Sequence, residues 1–132
     1  MTIKHNWRTS RLLHTCYSGD VSGQELIEEA QRVGEDRRFE NVRYVIGDWS
    51  QIDSAEINAD DVKELAAYIR ALAISFPGRM NASIVSDYES GTARATLYDI
   101  LLEDTSWQTR TFSTFEQAME WFGIELIDQS KG

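Results

Sequence analysis

Strand-like and helix-like segments alternate along this chain from end to end, in the order β-β-α-β-α-β-α-β-α. No other feature restricts the fold as much. Strands joined through helices need crossover connections, and right-handed crossovers build a mostly parallel sheet. The expectation is an α/β fold. Its open sheet of about five strands is mostly parallel and is built as a right-handed β-α superhelix. The amino-terminal strand enters it antiparallel, through a hairpin.

The individual segments carry local signals. Ile3, His5 and Trp7 alternate with Lys4, Asn6 and Arg8, which predicts a half-buried strand, and Leu12 to Ser18 predicts a second. Ser22 and Glu25 fit a capping box at the start of the first helix, with Val21 and Leu26 as its hydrophobic staple. Leu26, Ile27, Ala30 and Val33 form its apolar stripe, and Gly34 fits a left-handed terminating residue. Val42 to Ile46 reads as the central strand, leading into a Gly47-Asp48-Trp49-Ser50 loop. A long helix starts near Asn58 and carries Val62, Leu65, Ala66, Ile69, Leu72, Ala73 and Phe76 at helical spacing, until Pro77-Gly78 ends it. Ala82 to Ser86 is a third core strand, Ser90 to Leu102 a helix, and Trp107 to Phe112 the last strand. Ser113 and Glu116 suggest another capping box. Phe115, Ala118, Met119 and Phe122 give the final helix its buried face, and Gly123 breaks it.

Fully covered parallel strands are apolar throughout. Here several strands alternate, and only Tyr44-Val45-Ile46 and Ile84-Val85 are continuous. Helices are therefore expected chiefly on one face. At 132 residues the chain fits one domain, 1–132. A formal net charge of −9 argues against nucleic acid and against an anionic membrane surface as partners. No apolar run is long enough for a membrane span. A single cysteine, Cys16, fits a reducing compartment, and Met1 to Asn6 lack the apolar core of a signal peptide, so a cytoplasmic location is expected.

Functional groups of open α/β sheets gather at the carboxyl ends of strands. That points to Asp48, Trp49 and Ser50, to the helix start at Asn58 and Asp60, and to Ser86-Asp87-Tyr88 at the end of the next strand. Trp49 suits either a partner anchor or a lid on the core. Asp48, Asp53, Glu56, Asp60 and Asp61 fall within fourteen residues, without the spacing of a calcium loop, and read as a solvated loop with helix-capping carboxylates. Ser50 and Ser54 are candidate phosphorylation sites, although nearby carboxylates oppose a docked phosphate. A hairpin turning at Thr9-Ser10 would set His5 opposite His14 and Ile3 opposite Cys16, a partial zinc or copper ligand set, against the plainer reading of two ordinary strand histidines. No metal or other cofactor is expected. Nucleophile-elbow, zinc-protease, phosphate-loop and dinucleotide motifs are absent from the sequence.

Several short motifs keep a fixed order. They are Tyr17-Ser18-Gly19 before the first helix, Arg38-Phe39 before the central strand, Tyr44 through Ser50 at its end, and Phe112, Ala118 and Trp121 in the last unit. In that order the chain resembles the bacterial STAS-like proteins, single-domain relatives of the stage II sporulation anti-sigma-factor antagonist. The resemblance implies a β-α superhelix shared with CRAL-TRIO lipid-transfer domains, and with it an apolar-ligand site. It also implies a phosphorylatable hydroxyl in an Asp-Ser-Ser/Thr-Gly helix start. Here that start reads Glu56-Ile57-Asn58-Ala59-Asp60, and Asp53-Ser54 imitates only the first two letters, earlier in the chain.

The leading expectation is a non-enzymatic interaction module that binds a protein partner, or itself as a homodimer, through the loop and helix start after the central strand. The alternative is a binder of a small apolar ligand or lipid beneath the Leu65-Ile69-Leu72 stripe. A hydrolytic enzyme is a distant third.

Overall fold

The computed structural model describes residues 2–86 and 89–125. Strand β1 (Ile3–Trp7) pairs antiparallel with β2 (Leu12–Ser22). Helix α1 (Gly23–Glu35) and a short 3₁₀ turn (Arg37–Asn41) lead to β3 (Tyr44–Glu56). Then follow α2 (Ala59–Ser75), β4 (Met80–Ile84), α3 (Glu89–Leu102), β5 (Gln108–Phe112) and α4 (Phe115–Phe122). The sheet order is β1-β2-β3-β4-β5, with every pair after the first parallel.

That order decides where the helices go. Each crossover steps one strand in the same direction, so a constant hand puts α1, α2 and α3 on one face. Their apolar stripes meet Leu13, Phe39, Val42 and Trp107 in one cluster and Ile3, Val21 and Ile57 in another. Helix α4 follows the last strand and need not cross back. It closes the opposite face, packing Ala118, Met119 and Phe122 on Leu12, Ile46, Ala82 and Ile84. The sequence expectation of an α/β sheet with helices chiefly on one side therefore holds, and α4 covers part of the reverse side.

Several local expectations need correction. The hairpin does not turn at Thr9-Ser10 alone. The Thr9 hydroxyl accepts from the Arg11 and Leu12 amides and closes a wider connection, while the Arg8 amide donates to the Leu12 carbonyl. The register moves by one, so Ile3 faces Tyr17 and His5 faces Thr15. A one-residue slip sends side chains to the other face, and the two histidines lie on opposite sides of the sheet.

The segment after Ile46 is not a loop. β3 continues to Glu56 beside Ser18 to Ser22 of β2, and two register shifts let β3 absorb extra residues. Gln51, Asp53, Ser54 and Glu56 are poor strand formers, but β propensity yields readily to a partner strand. Exposed polar side chains suit this outer ribbon.

Gly34 does not end α1. The helix runs to Glu35 and is capped at Asp36, and the positive-φ glycines among the described residues are Gly19, Gly78 and Gly123. A Cβ at Gly34 would strike the Tyr68 hydroxyl, so this glycine serves the α1–α2 crossing.

The helix starts fit the sequence signals. Ser22 and Glu25 form their capping box, and Asn58 forms one with Asp61. The last box sits one residue later than expected, on Thr114 and Gln117, because the Gln117 side chain accepts from both the Ser113 and Thr114 amides. Gly123 caps α4 in the left-handed conformation.

Candidate functional site

Strand alternation divides the central sheet into two chemical faces. Leu13, Thr15 and Tyr17 of β2, Val45, Gly47 and Trp49 of β3, Asn81 and Ser83 of β4 and Val85 just after it all line one cavity beneath the three helices. Its volume is about 430 Å³, inside the range of about 300–1,000 Å³ usual for ligand pockets. Leu65, Ile69 and Leu72 of α2 form much of the roof, and Leu26 and Val33 of α1 close one side. Helix α3 contributes Gly91, Arg94, Ala95 and Tyr98.

The space exists because small residues hold the middle of its floor. Thr15, Gly47 and Ser83 are register partners across three adjacent strands. Bulky residues in this row would bring the helices' stripes down onto filled volume. Beside Gly47 the rings of Tyr17 and Trp49 stack with centroids 3.9 Å apart, close to Ile52 and Ala55 of the β3 ribbon.

Most polar groups around the cavity have partners. The Tyr98 hydroxyl donates to Asn81 Oδ1 at 2.5 Å, and Asn81 Nδ2 donates to the Val45 carbonyl at 3.2 Å. His5 bridges Thr15 Oγ1 and Glu29 Oε2, each at 2.9 Å. Burial, with smaller help from nearby acidic groups, pushes the Tyr17 and Tyr98 phenols well above their usual range. Both remain protonated at neutral pH, so neither supplies a general base. Such a cavity can hold an apolar body.

The opposite face carries a polar network under α4. With Arg8 donating to His14 Nδ1 at 3.0 Å, the other ring nitrogen, Nε2, carries the hydrogen and donates to Asp48 Oδ2 at 2.8 Å. Ser50 donates to Asp48 Oδ1 through its hydroxyl at 2.6 Å and its amide at 3.0 Å. Phe115 stacks on the His14 ring. Burial raises the Asp48 carboxyl, but the hydrogen bonds from His14 and Ser50 outweigh it and hold the carboxyl below its ordinary range.

Cys16 completes a triangle in which one donor atom each of His14, Cys16 and Asp48 lies within 4.8 Å of the others. The donor set fits a cation poorly as arranged. A ligating imidazole normally donates its other N–H to an acceptor, whereas His14 Nδ1 faces the Arg8 guanidinium. The triangle is not a nucleophilic triad either. Cys16 and Asp48 approach the same imidazole nitrogen, and burial together with the Asp48 charge pushes the thiol up.

Removing Asp48 tests this network. Asp48→Ala is expected to lower stability at neutral pH by about 1.5–3 kcal/mol, the scale of buried hydrogen bonds to a charged group. The folded carboxyl titrates below its unfolded value, so the stabilisation is complete above the ordinary Asp range and is lost as pH falls through the folded value. Urea denaturation should show the full gap from wild type at pH 7, shrinking only below about pH 4.

The rim candidates are neighbours that point in different directions. Asp48 lies under His14, and half-buried Trp49 turns to the cavity. Ser50 is exposed on the Asp48 side, Asn58 serves as a helix cap, and Asp60 is exposed in the first turn of α2. Asp48 is the register partner of Ile84, so this part of β3 lies beside the end of β4, and Ser86 lines the same cavity as Trp49. Asp87 and Tyr88 lie outside the described residues. The Ser50 and Ser54 hydroxyls each donate at 2.6 Å to a carboxylate, of Asp48 and Asp20 respectively. A phosphoryl group on either would sit against that charge.

The sequence reading missed the pairing of His14 with Asp48 and the place of Arg94 on the cavity wall. The parallel register of β2 and β3 creates the first, and neither strand reports it alone.

Among the described residues no helix is long and apolar enough to cross a membrane. No protein-family model matches the chain, and no curated protein matches it in sequence. Solved structures do match. The anti-sigma factor antagonist SpoIIAA in its unphosphorylated form is similar over 92% of this chain and 97% of its own, with a TM-score of 0.56 at 10% identity. The Bacillus cell fate determinant SpoIIAA in its phosphorylated form is similar over 91% and 98%, with a TM-score of 0.54 at 11% identity. An uncharacterised protein of the DUF3478 family with a SpoIIAA-like fold, from Shewanella loihica, is similar over 90% of both chains, with a TM-score of 0.52 at 13% identity. The five-stranded sheet, its one antiparallel edge and its four helices are thus those of the SpoIIAA fold.

Proposed function

We propose that this domain is a non-enzymatic binding module whose ligand is a small, mainly apolar molecule held between the sheet and α1, α2 and α3. The cavity of about 430 Å³ carries this reading. Its roof is the Leu65-Ile69-Leu72 stripe, and its floor dips at Gly47. Few polar groups converge there, which suits orientation of a ligand rather than chemistry on it. Native mass spectrometry of the freshly purified protein tests the idea. A bound hydrophobic mass, or saturable uptake of an added aliphatic alcohol, is expected. A protein that binds neither would contradict it.

A second reading is supported by the likeness in fold to an anti-sigma factor antagonist. In that reading a protein partner or a second copy docks at the rim formed by Ser50, Asn58 and Asp60, with Trp49 behind it. A dimer mass in the same spectra supports it. The two readings are compatible, because Trp49 belongs to the cavity wall and to the rim.

A further inference from the structure

We propose that the cavity selects an amphiphile with an anionic head, such as a carboxylate on an aliphatic chain, and that Arg94 receives the head. This rests on the cavity being a ligand site. Gly91, Arg94, Ala95 and Tyr98 fall at the spacing of one helix face, and all four line the cavity. An apolar residue at position 94 would complete that stripe, but the chain carries a guanidinium there. Arg94 is the one Lys or Arg among the described cavity-lining residues.

The other buried or clustered arginines have partners. Arg8 meets His14, Arg38 meets Asp36, Arg70 meets Asp104, and Arg79 bonds two backbone carbonyls. Among the described residues Arg94 has no ion pair. Partial burial pulls its pKa down, as for a cation partly withdrawn from water with no compensating charge among the described residues. A guanidinium stays charged, so the deficit is met by bringing an anion to it. A carboxylate can accept two parallel N–H bonds from its fork. Ser86 and Gly91 also line the cavity. Asp53, the acid that also lines the cavity, is exposed to solvent, and its charge is screened accordingly. The aliphatic tail then runs under the α2 stripe toward Gly47.

The test compares decanoate with 1-decanol, which share a chain and differ in head charge. Both are titrated into the full chain at pH 8, with tryptophan fluorescence as the readout, since Trp49 and Trp107 line the cavity. Wild type should bind decanoate about tenfold more tightly than the alcohol, the scale of one charge-assisted contact. Arg94→Gln should remove that preference, and Arg94→Lys should restore part of it. Equal affinity for acid and alcohol in wild type overturns the role of Arg94 while the cavity reading stands. An undiminished acid preference in folded Arg94→Gln does the same. Failure of wild type to bind either probe overturns both. The wild-type comparison needs no variant, so a poorly folding substitution does not decide the outcome.

Discussion

Replacing Gly47 with leucine is expected to abolish apolar-ligand binding while the domain stays folded. The position is open to a side chain. Its φ is not in the left-handed region. A Cβ there would meet Tyr17 Cε2 at 3.6 Å and Trp49 Nε1 at 3.7 Å, which is ordinary contact. Beyond the Cβ lies the cavity. An isobutyl group would fill its floor, between Thr15 and Ser83 and under the α2 stripe. The loss should be about 100-fold or more in affinity, equivalent to about 2.7 kcal/mol. Stability should hold or rise by roughly 1 kcal/mol, because glycine weakens a strand and the new side chain buries apolar surface. Fluorescence titration and a thermal melt on the same sample separate the two effects. Wild-type affinity in Gly47→Leu would show that the ligand does not occupy this space.

Phe39→Ala should do the reverse. Phe39 comes from the short 3₁₀ turn before β3 and is fully buried. It packs edge-on to Phe76 and against Trp107. Truncation should cost about 3–5 kcal/mol, the usual price of deleting a buried phenyl group. For a domain of this size that is a fall in Tm of roughly 10–20 °C. A large part of total stability is at stake, since small domains hold only about 5–15 kcal/mol. A change in Tm of only a few degrees would mean that the turn and α2 do not form one packed unit. Together the substitutions distinguish a wall that supports the fold from a floor that leaves room.

The fold was legible because its signals are local and agree with one another. Three helix starts are marked by capping residues at or next to the observed caps, and the stripes of α1, α2 and α4 repeat at helical spacing. Alternation in β1 is visible without a partner. Register is another matter. The sequence around Thr9-Ser10 allows a tight turn, and only the Thr9 hydroxyl on two later amides shows that the connection is wider. That single step separates His5 from His14, while the parallel register of β2 on β3 sets His14 beside Asp48. The β3 ribbon was hidden for a related reason. Gln51, Asp53 and Ser54 have loop-like chemistry, and their strand geometry comes from β2 alongside. The place of the cavity could be anticipated from the long helix, because the Leu65-Ile69-Leu72 stripe had to face the sheet. Its depth could not. It depends on Thr15, Gly47 and Ser83 falling in one row across three strands, and each reads alone as an unremarkable small residue.

Methyl-resolved NMR with an apolar probe measures the central claim directly, because the sheet supplies its own control. On titrating 1-decanol, methyl signals of Leu65, Ile69, Leu72 and Ala95 should shift and saturate together. Those of Leu12, Ala82 and Met119, packed under α4 on the reverse face, should stay in place. Saturable shifts on the α4 side alone, or none on the α2 side at probe saturation, would contradict a ligand site between the helices and the sheet.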